Sequence, residues 1–382
     1  MQYKSFLLLA LASVASAQTP SLTDALGSQS SMLSSLNDLL GSNSQITDAL
    51  NNMQNVTILA PSNDALNALS RNSDTAGLLT NPDYLQALLS YHVLNGTYYN
   101  SSFGDNSTFI PTALSNETYT NVTGGQVVEA RLYDNNVTFF SALKQNATIV
   151  TPNVNFTGGT IHIINRLLAI PQNASETLSN ANLTAAEGAI NTANLTDSVI
   201  DTHDITIFAP NNDAFNSIGS VVSNLTSEQL TSILGYHVIN GSVNYSTQLE
   251  NSTLTTVNGQ NITIAVVNGT VYANSAKITV PDILLENGVV HVIDQVLNPD
   301  STSAAPDTAA TTATPAFTDA STGTAGIPFT SGITTPTTTF PAATSAGGSA
   351  ESSSSSGAAM PMKTGVVGAA ALFGGAAVFV NL

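Results

Sequence analysis

Two tandem domains, each mixing short strands with short helices, are the fold this sequence predicts, and three blocks repeated in the same order predict it. The first block is "NVTILAPSNDALNAL" (55–69), matched by "DITIFAPNNDAFNSI" (204–218). The second is "YHVLNG" (91–96), matched by "YHVING" (236–241), in a chain with only five histidines. The third is "GGTIHIINRLLAIP" (158–171), matched by "NGVVHVIDQVLNP" (287–299). The stretch between the second and third blocks is shorter in the second copy, which places the length difference in loops. A chain of 382 residues is long enough for such a duplication, since domains commonly run roughly 100–200 residues.

The elements follow in chain order. Lys4, the apolar run "FLLLALASVA" (6–15) and small residues at Ala15-Ser16-Ala17 predict a secretory signal peptide over 1–17. The first domain is expected over 18–172 and the second over 173–299. "VTILAP" and "ITIFAP" alternate as strands and stop at Pro61 and Pro210. Ser62/Asn63 and Asn211/Asn212 then offer N-caps to short helices carrying Ala65, Leu66 and Leu69, or Ala214, Phe215 and Ile218. A further helix precedes each Tyr-His pair, opened by Asn81-Pro82 in one copy and by the capping box Thr226-Ser227-Glu228-Gln229 in the other. Leu85, Leu88, Leu89 and His92 share one face at helical spacing, as do Leu230, Ile233, Leu234 and His237, so both histidines are predicted to face a core at a helix end.

Charged residues are 8% of the chain, 7 basic against 25 acidic, for a formal charge of −18. Nucleic acid is excluded as a partner because phosphate neutralisation needs clustered cations. With no cysteine there are no disulfides and no thiolate metal sites, although secretion would permit the former.

What the composition offers instead is sugar. Asn-x-Ser/Thr acceptors stand at Asn55, Asn95, Asn100, Asn106, Asn116, Asn121, Asn136, Asn146, Asn155, Asn173, Asn182, Asn194, Asn224, Asn240, Asn244, Asn251, Asn261 and Asn268. One such triplet means little, but eighteen behind a signal peptide predict a glycoprotein, with a minority of sites unoccupied. In "NITIAVV", "NVTFF" and "NATIV" the Asn and Thr are predicted to face water while Ile262, Ile264, Val137 and Ala147 face inward.

From residue 300 to 357 Ser, Thr, Ala, Pro and Gly dominate without apolar periodicity, which predicts an unfolded, O-glycosylated stalk. Residues 358–382 then offer a short spacer and the apolar tail "GVVGAAALFGGAAVFVNL". A transmembrane helix would ask for about 20 apolar residues and basic flanks. Small residues, spacer and hydrophobic tail fit a glycosylphosphatidylinositol signal better, with attachment expected within Ser352–Gly357 and Ser355, Ser356 and Gly357 as candidates.

The strand-proline-helix box, the Tyr-His box and the terminal "IHIINRLL"/"VHVIDQVL" box together resemble the fasciclin-like (fasciclin I) domain, present twice over about residues 20–299. The resemblance implies an α+β domain, a twisted β-wedge or sandwich with helices packed at one side, and a non-enzymatic role in extracellular adhesion. It also implies a binding candidate, Asp282-Ile283, just before the last box; the first copy departs from it with Asn153-Val154, and a plain Pro-Asp turn is the competing reading.

Tyr91, His92, Tyr236 and His237 are expected to be structural. Catalysis by the histidines would need a nucleophile or carboxylate pair beside them, and neither recurs in both copies. His162 and His291 could complete a two-histidine zinc site, but the repeats supply no third ligand, so no metal and no cofactor is expected. The expected partners are protein or glycan components of the cell surface or wall, and a membrane reached through the lipid anchor. A structural coat or spacer is the alternative, and a carbohydrate-active wall enzyme a more distant one.

Overall fold

The computed structural model describes residues 19–71, 80–301, 306, 316–317, 320–324 and 326–334. The segments expected to be a signal peptide and an anchor signal, with Ser355, Ser356 and Gly357, lie outside the described residues.

The first domain opens with helices α1 (Leu22–Ser28), α2 (Ser30–Gly41) and α3 (Ser44–Asn51). Strand β1 (Val56–Pro61) runs into α4 (Asn63–Arg71), and α5 (Pro82–Tyr91) into the short β2 (Val93–Asn95). Then come β3 (Thr108–Pro111), β4 (Val127–Tyr133), β5 (Asn136–Phe140), β6 (Asn146–Phe156) and β7 (Gly159–Ile164). The second domain repeats this with α6 (Ala174–Asn180), α7 (Thr184–Thr192), α8 (Thr196–Asp201), β8 (Ile205–Pro210), α9 (Asn212–Ser217), α10 (Gly219–Val222), α11 (Ser227–Tyr236) and β9 (Val238–Ile239). It closes with β10 (Ser252–Thr255), β11 (Asn261–Val267), β12 (Thr270–Ala273), β13 (Ala276–Leu285) and β14 (Gly288–Ile293).

Each domain holds one seven-stranded sheet, in the orders β2-β1-β7-β6-β5-β4-β3 and β10-β11-β12-β13-β14-β8-β9, which are the same topology read from opposite edges. The first and last long strands of each copy pair in parallel, Val56 opposite Gly159 and Ile205 opposite Gly288. The remaining neighbours are antiparallel. Strands β6 and β13 each slip register twice, at Ile149/Thr151 and Thr151/Val154 and at Ile278/Val280 and Val280/Ile283. Bulges bend the bulged strand and increase its twist, so these long strands fold the sheet into a wedge. This is the α+β wedge with helices at one side that the resemblance implies.

The bent sheet gives each domain two cores. In β1, Val56, Ile58 and Ala60 pack under the helices with Leu26, Leu36 and Leu85, while Leu59 points into the wedge with Tyr91, Phe103 and Phe139. In β8, Ile205, Ile207 and Ala209 take the helical side and Phe208 the wedge. Both strands are therefore buried on both faces along their whole length. Thr57 and Thr206, which alternation assigns to a polar face, are 0% exposed. Their hydroxyls donate to Gly96 O and Ser242 O and accept from the N–H groups of Tyr98 and Asn244, so each threonine holds a neighbouring loop.

Capping mostly follows the sequence reading. Asn81 Oδ1 accepts from Asp83 and Tyr84 at the start of α5, and Thr226 and Gln229 form a reciprocal box at the start of α11. Ser62 and Asn211 cap α4 and α9. Asn63 and Asn212 do something else: each clips its helix to an earlier one, Asn63 to Ser31 and Ser35 of α2, Asn212 to Asn182 and Ala185 at the start of α7.

The strand-face expectation holds in β11, where Asn261 and Thr263 are exposed and Ile262 and Ile264 buried, and fails in β5, where Thr138 is buried. The outer face there is covered by aromatic and basic side chains: Arg131 lies over the rings of Tyr133 and Phe140, 5.2 and 4.9 Å from their centroids. The tail also differs from the composition-based reading. Beyond residue 299, Phe317, Ala320 and Phe329 pack on the second domain's helical core. A segment needs no core of its own when a ready-made apolar face accepts it.

Candidate functional site

The residues that carry the repeated boxes converge on two equivalent fixtures and one seam. At the end of α5, His92 Nδ1–H donates to Leu88 O at 2.7 Å and Nε2 accepts from the N–H of Leu168 at 2.9 Å. At the end of α11, His237 does the same with Ile233 O at 2.7 Å and Leu297 at 2.9 Å. Each ring thus ties the last helical turn, whose carbonyls lack intrahelical partners, to the chain leaving β7 or β14. Burial drives both imidazoles from the ordinary 6.5 down to about 4, against the smaller opposing pull of the accepting carbonyl. The rings are neutral spacers at physiological pH.

The adjacent tyrosines reach the other way, into the wedge. Tyr91 OH donates to Val127 O at 2.9 Å, and Tyr236 OH to Asn261 O at 2.8 Å. Each Tyr-His pair therefore fixes one helix end to both halves of its bent sheet.

His162 and His291 occupy matching places in β7 and β14. Their Nε2 atoms lie 2.8 Å from Tyr98 O and Asn244 O, and their Nδ1 atoms accept from the N–H groups of Asn153 and Asp282. Both nitrogens of all four histidines in the boxes are thus engaged with backbone atoms. Among the described residues no group of three or more His, Asp or Glu side chains is placed to hold a metal ion.

The Asp282-Ile283 pair lies at the second bulge of β13. Ile283 is in the helical core at 0% exposure and Asp282 is 1% exposed. The Asp282 carboxylate accepts from both the N–H and the hydroxyl of Ser246, so it caps the 3₁₀ turn Ser246–Gln248. Asn153, which sequence comparison sets apart, does the same work in the first copy: its Oδ1 accepts from the N–H of Asn100 at 2.9 Å, at the 3₁₀ turn Asn100–Ser102. Both residues have φ 60°, the left-handed region that Asn and Asp tolerate better than other side chains. The shared bulge, rather than the identity of the side chain, makes these positions equivalent.

The sequence reading missed the seam between the domains. Phe109 stacks on Tyr245 with centroids 4.1 Å apart and an 11° interplanar angle. Val127, Leu284 and Val289 are buried in the same cluster. Gln126 Nε2 donates to Leu285 O, Asn121 N–H to Glu286 O, and Thr123 N–H to Asp204 Oδ1. These contacts come from the loop 112–126, whose counterpart in the second copy spans only 256–260. The extra length of the first copy is thus an arm that grips the second. Leu143, at φ 52°, packs from the first domain onto the helical core of the second. Next to it Lys144 Nζ lies 2.6 Å from the buried Glu129 carboxylate, which also accepts from Ser107 Oγ. The uneven spacing of the repeated boxes was the one sequence signal of this arm.

Of the eighteen sequon asparagines, Asn100, Asn121, Asn173 and Asn244 are half-buried, the other fourteen are exposed, and none is buried.

The fasciclin domain model matches residues 31–171 and 181–299. A fasciclin-like arabinogalactan protein of Arthroderma benhamiae is 35% identical over 291 residues, 75% of this chain and 69% of that one. Another, of Phaeosphaeria nodorum, is 30% identical over 250 residues, 65% of this chain and 79% of that one. Human periostin is 28% identical over 161 residues, 41% of this chain and 19% of that one. Among solved structures, a FAS1 domain pair from the insect cell adhesion molecule fasciclin I matches at 20% identity with a TM-score of 0.34, covering 70% of this chain and 97% of that one. Two segments that match one family model, in two copies of one topology, make this chain a member of the fasciclin domain family with the domain present in tandem.

Proposed function

We propose that the chain is a non-enzymatic cell-surface glycoprotein that mediates adhesion or organises the wall, its two domains carried on a glycosylated stalk and held to the membrane by a lipid anchor. The observation that carries this reading is the placement of the sequons: fourteen asparagines exposed and none buried, distributed over both domains. Sugar so spread supplies solubility to a surface with few charges and leaves weak, repeated contacts as the mode of binding. Many tethered copies then raise avidity without any tight single site. The names of the fungal relatives, fasciclin-like arabinogalactan proteins, point the same way. Partners would be protein or glycan components of neighbouring surfaces or wall.

Beads coated with the mature chain provide the test. Clustering of the beads, or their attachment to cells, that is lost after enzymatic deglycosylation supports a sugar-mediated adhesin. Unchanged cell attachment after gene deletion, together with inert beads, would leave the spacer reading in its place. Release of the protein from intact cells by a phosphatidylinositol-specific phospholipase checks the anchor separately.

A further inference from the structure

We propose that residues 316–317, 320–324 and 326–334 form an intramolecular strap seated in a groove of the second domain's helical layer, keyed by Gly188 and Gly219. The docking does not depend on the adhesive reading.

Two kinds of contact seat the strap. Phe329 meets Phe215 edge-on, with centroids 6.0 Å apart at 86°, and Phe317 and Ala320 pack on the same core. Backbone bonds set the register: Ser220 N–H donates to Ser321 O at 3.1 Å, Ser321 N–H to Ser220 Oγ at 2.9 Å, and Gly323 N–H to Asn216 O at 2.9 Å. Asn298 Nδ2 donates to Ala316 O at 3.0 Å at the near end, and Ser179 Oγ to Thr334 O at 3.4 Å at the far end.

The glycines make the groove selective. A Cβ built on Gly188, in the middle of α7, would lie 1.9 Å from Phe329 O, and one on Gly219 would lie 2.4 Å from Gly323 Cα. Neither glycine has a left-handed φ, so the helix itself does not call for them. Glycine in a helix interior, as at Gly188, weakens the helix, and the close passage of the strap backbone is the reason it stands there, while Gly219 opens α10 against Gly323. The matching helices of the first copy, "SSMLSSLNDLLG" and "NDALNALSR", have no interior glycine, and the first domain has no tail of its own to receive. One consequence is directional. The helical face of the second domain is occupied, and among the described residues no tail segment covers that of the first.

Gly188→Ala and Gly219→Ala test this on the full mature chain, because alanine favours the helix and removes only the room for the strap. Hydrogen exchange in the wild type should show residues 320–334 protected at least tenfold over a free peptide of that sequence. Either alanine should abolish that protection while helix content and first-domain melting stay unchanged, and Phe329→Ala should do the same from the strap side. Wild-type exchange at the free-peptide rate, or protection that survives Gly188→Ala, overturns the proposal. Cross-linking in a mixture of isotopically light and heavy chains should join the strap to α7 only within one isotope; mixed products would make a second copy the occupant and refute the assignment.

Discussion

At the scale of single residues, this protein spends its polar side chains on its own backbone. His92 and His237 each satisfy a helical carbonyl and an N–H in the interior. Removing a ring leaves both groups buried and a void beside them, each effect costing about 1–3 kcal/mol. His237→Ala should therefore destabilise the second domain by roughly 3 kcal/mol in urea unfolding, and His92→Ala the first by a similar amount.

Asp282 makes a sharper case. Since Asn153 performs the same capping with an amide, Asp282→Asn should lose less than about 1 kcal/mol, while Asp282→Ala should lose about 1–2 kcal/mol. The converse pattern, with Asn as damaging as Ala, would mean the charge matters beyond the turn. Asn244 is a further residue whose surroundings decide its fate. Its Nδ2, the atom a glycan would occupy, donates to Ser242 Oγ at 2.9 Å and to Thr206 Oγ1 at 3.3 Å. Mass spectrometry of the secreted protein should find Asn244 unmodified and the exposed Asn261 glycosylated.

At the scale of elements, the parallel pairs β1–β7 and β8–β14 carry each domain, and a glycine makes each possible. A Cβ on Gly159 would lie 1.9 Å from Val56 O, and one on Gly288 would lie 1.9 Å from Ile205 O. Backbone cannot move aside as a flexible side chain can. Gly288→Ala should consequently cost the second domain about 2–4 kcal/mol, read as a lower melting temperature for that domain alone. Neighbouring β-bulges explain a second elemental feature: an extra residue in β6 and β13 turns Asn153 and Asp282 back toward the 3₁₀ turns they cap.

At the scale of the whole molecule, the two domains share a seam built on Phe109 and Tyr245 and on the arm 112–126. The seam should couple two domain transitions in calorimetry, and Phe109→Ala should move them further apart. The histidines set the response to acid. His92 and His237 titrate at about 4 in the folded chain against 6.5 when free, so below pH 6.5 the unfolded chain binds more protons. Stability is thus complete above 6.5 and is lost as the pH falls toward 4, by up to roughly 3 kcal/mol per histidine. Half-buried carboxyls oppose this, since burial raises Glu187 and Glu286 and lets the folded state take up protons first. Two fully buried rings outweigh groups still open to solvent, and the melting temperature should drop by roughly 5–10 °C between pH 7 and pH 4.5.

The sequence by itself determined the duplication, the strands that end in proline, the capped helices and the inward histidines. All of these follow from local periodicity and from side chains acting within a few residues of themselves. The tertiary structure decided what depends on contacts distant in sequence. Thr57, Thr138 and Thr206 read as surface residues until a second layer covers them. Asn153 and Asp282 read as different until one bulge gives them one task. The arm 112–126 and the strap have no apolar period of their own, because each takes its order from a surface another part of the chain has already built. Hydrophobic pattern records which face an element buries, and it carries no record of which partner, far along the chain, will be there to bury it.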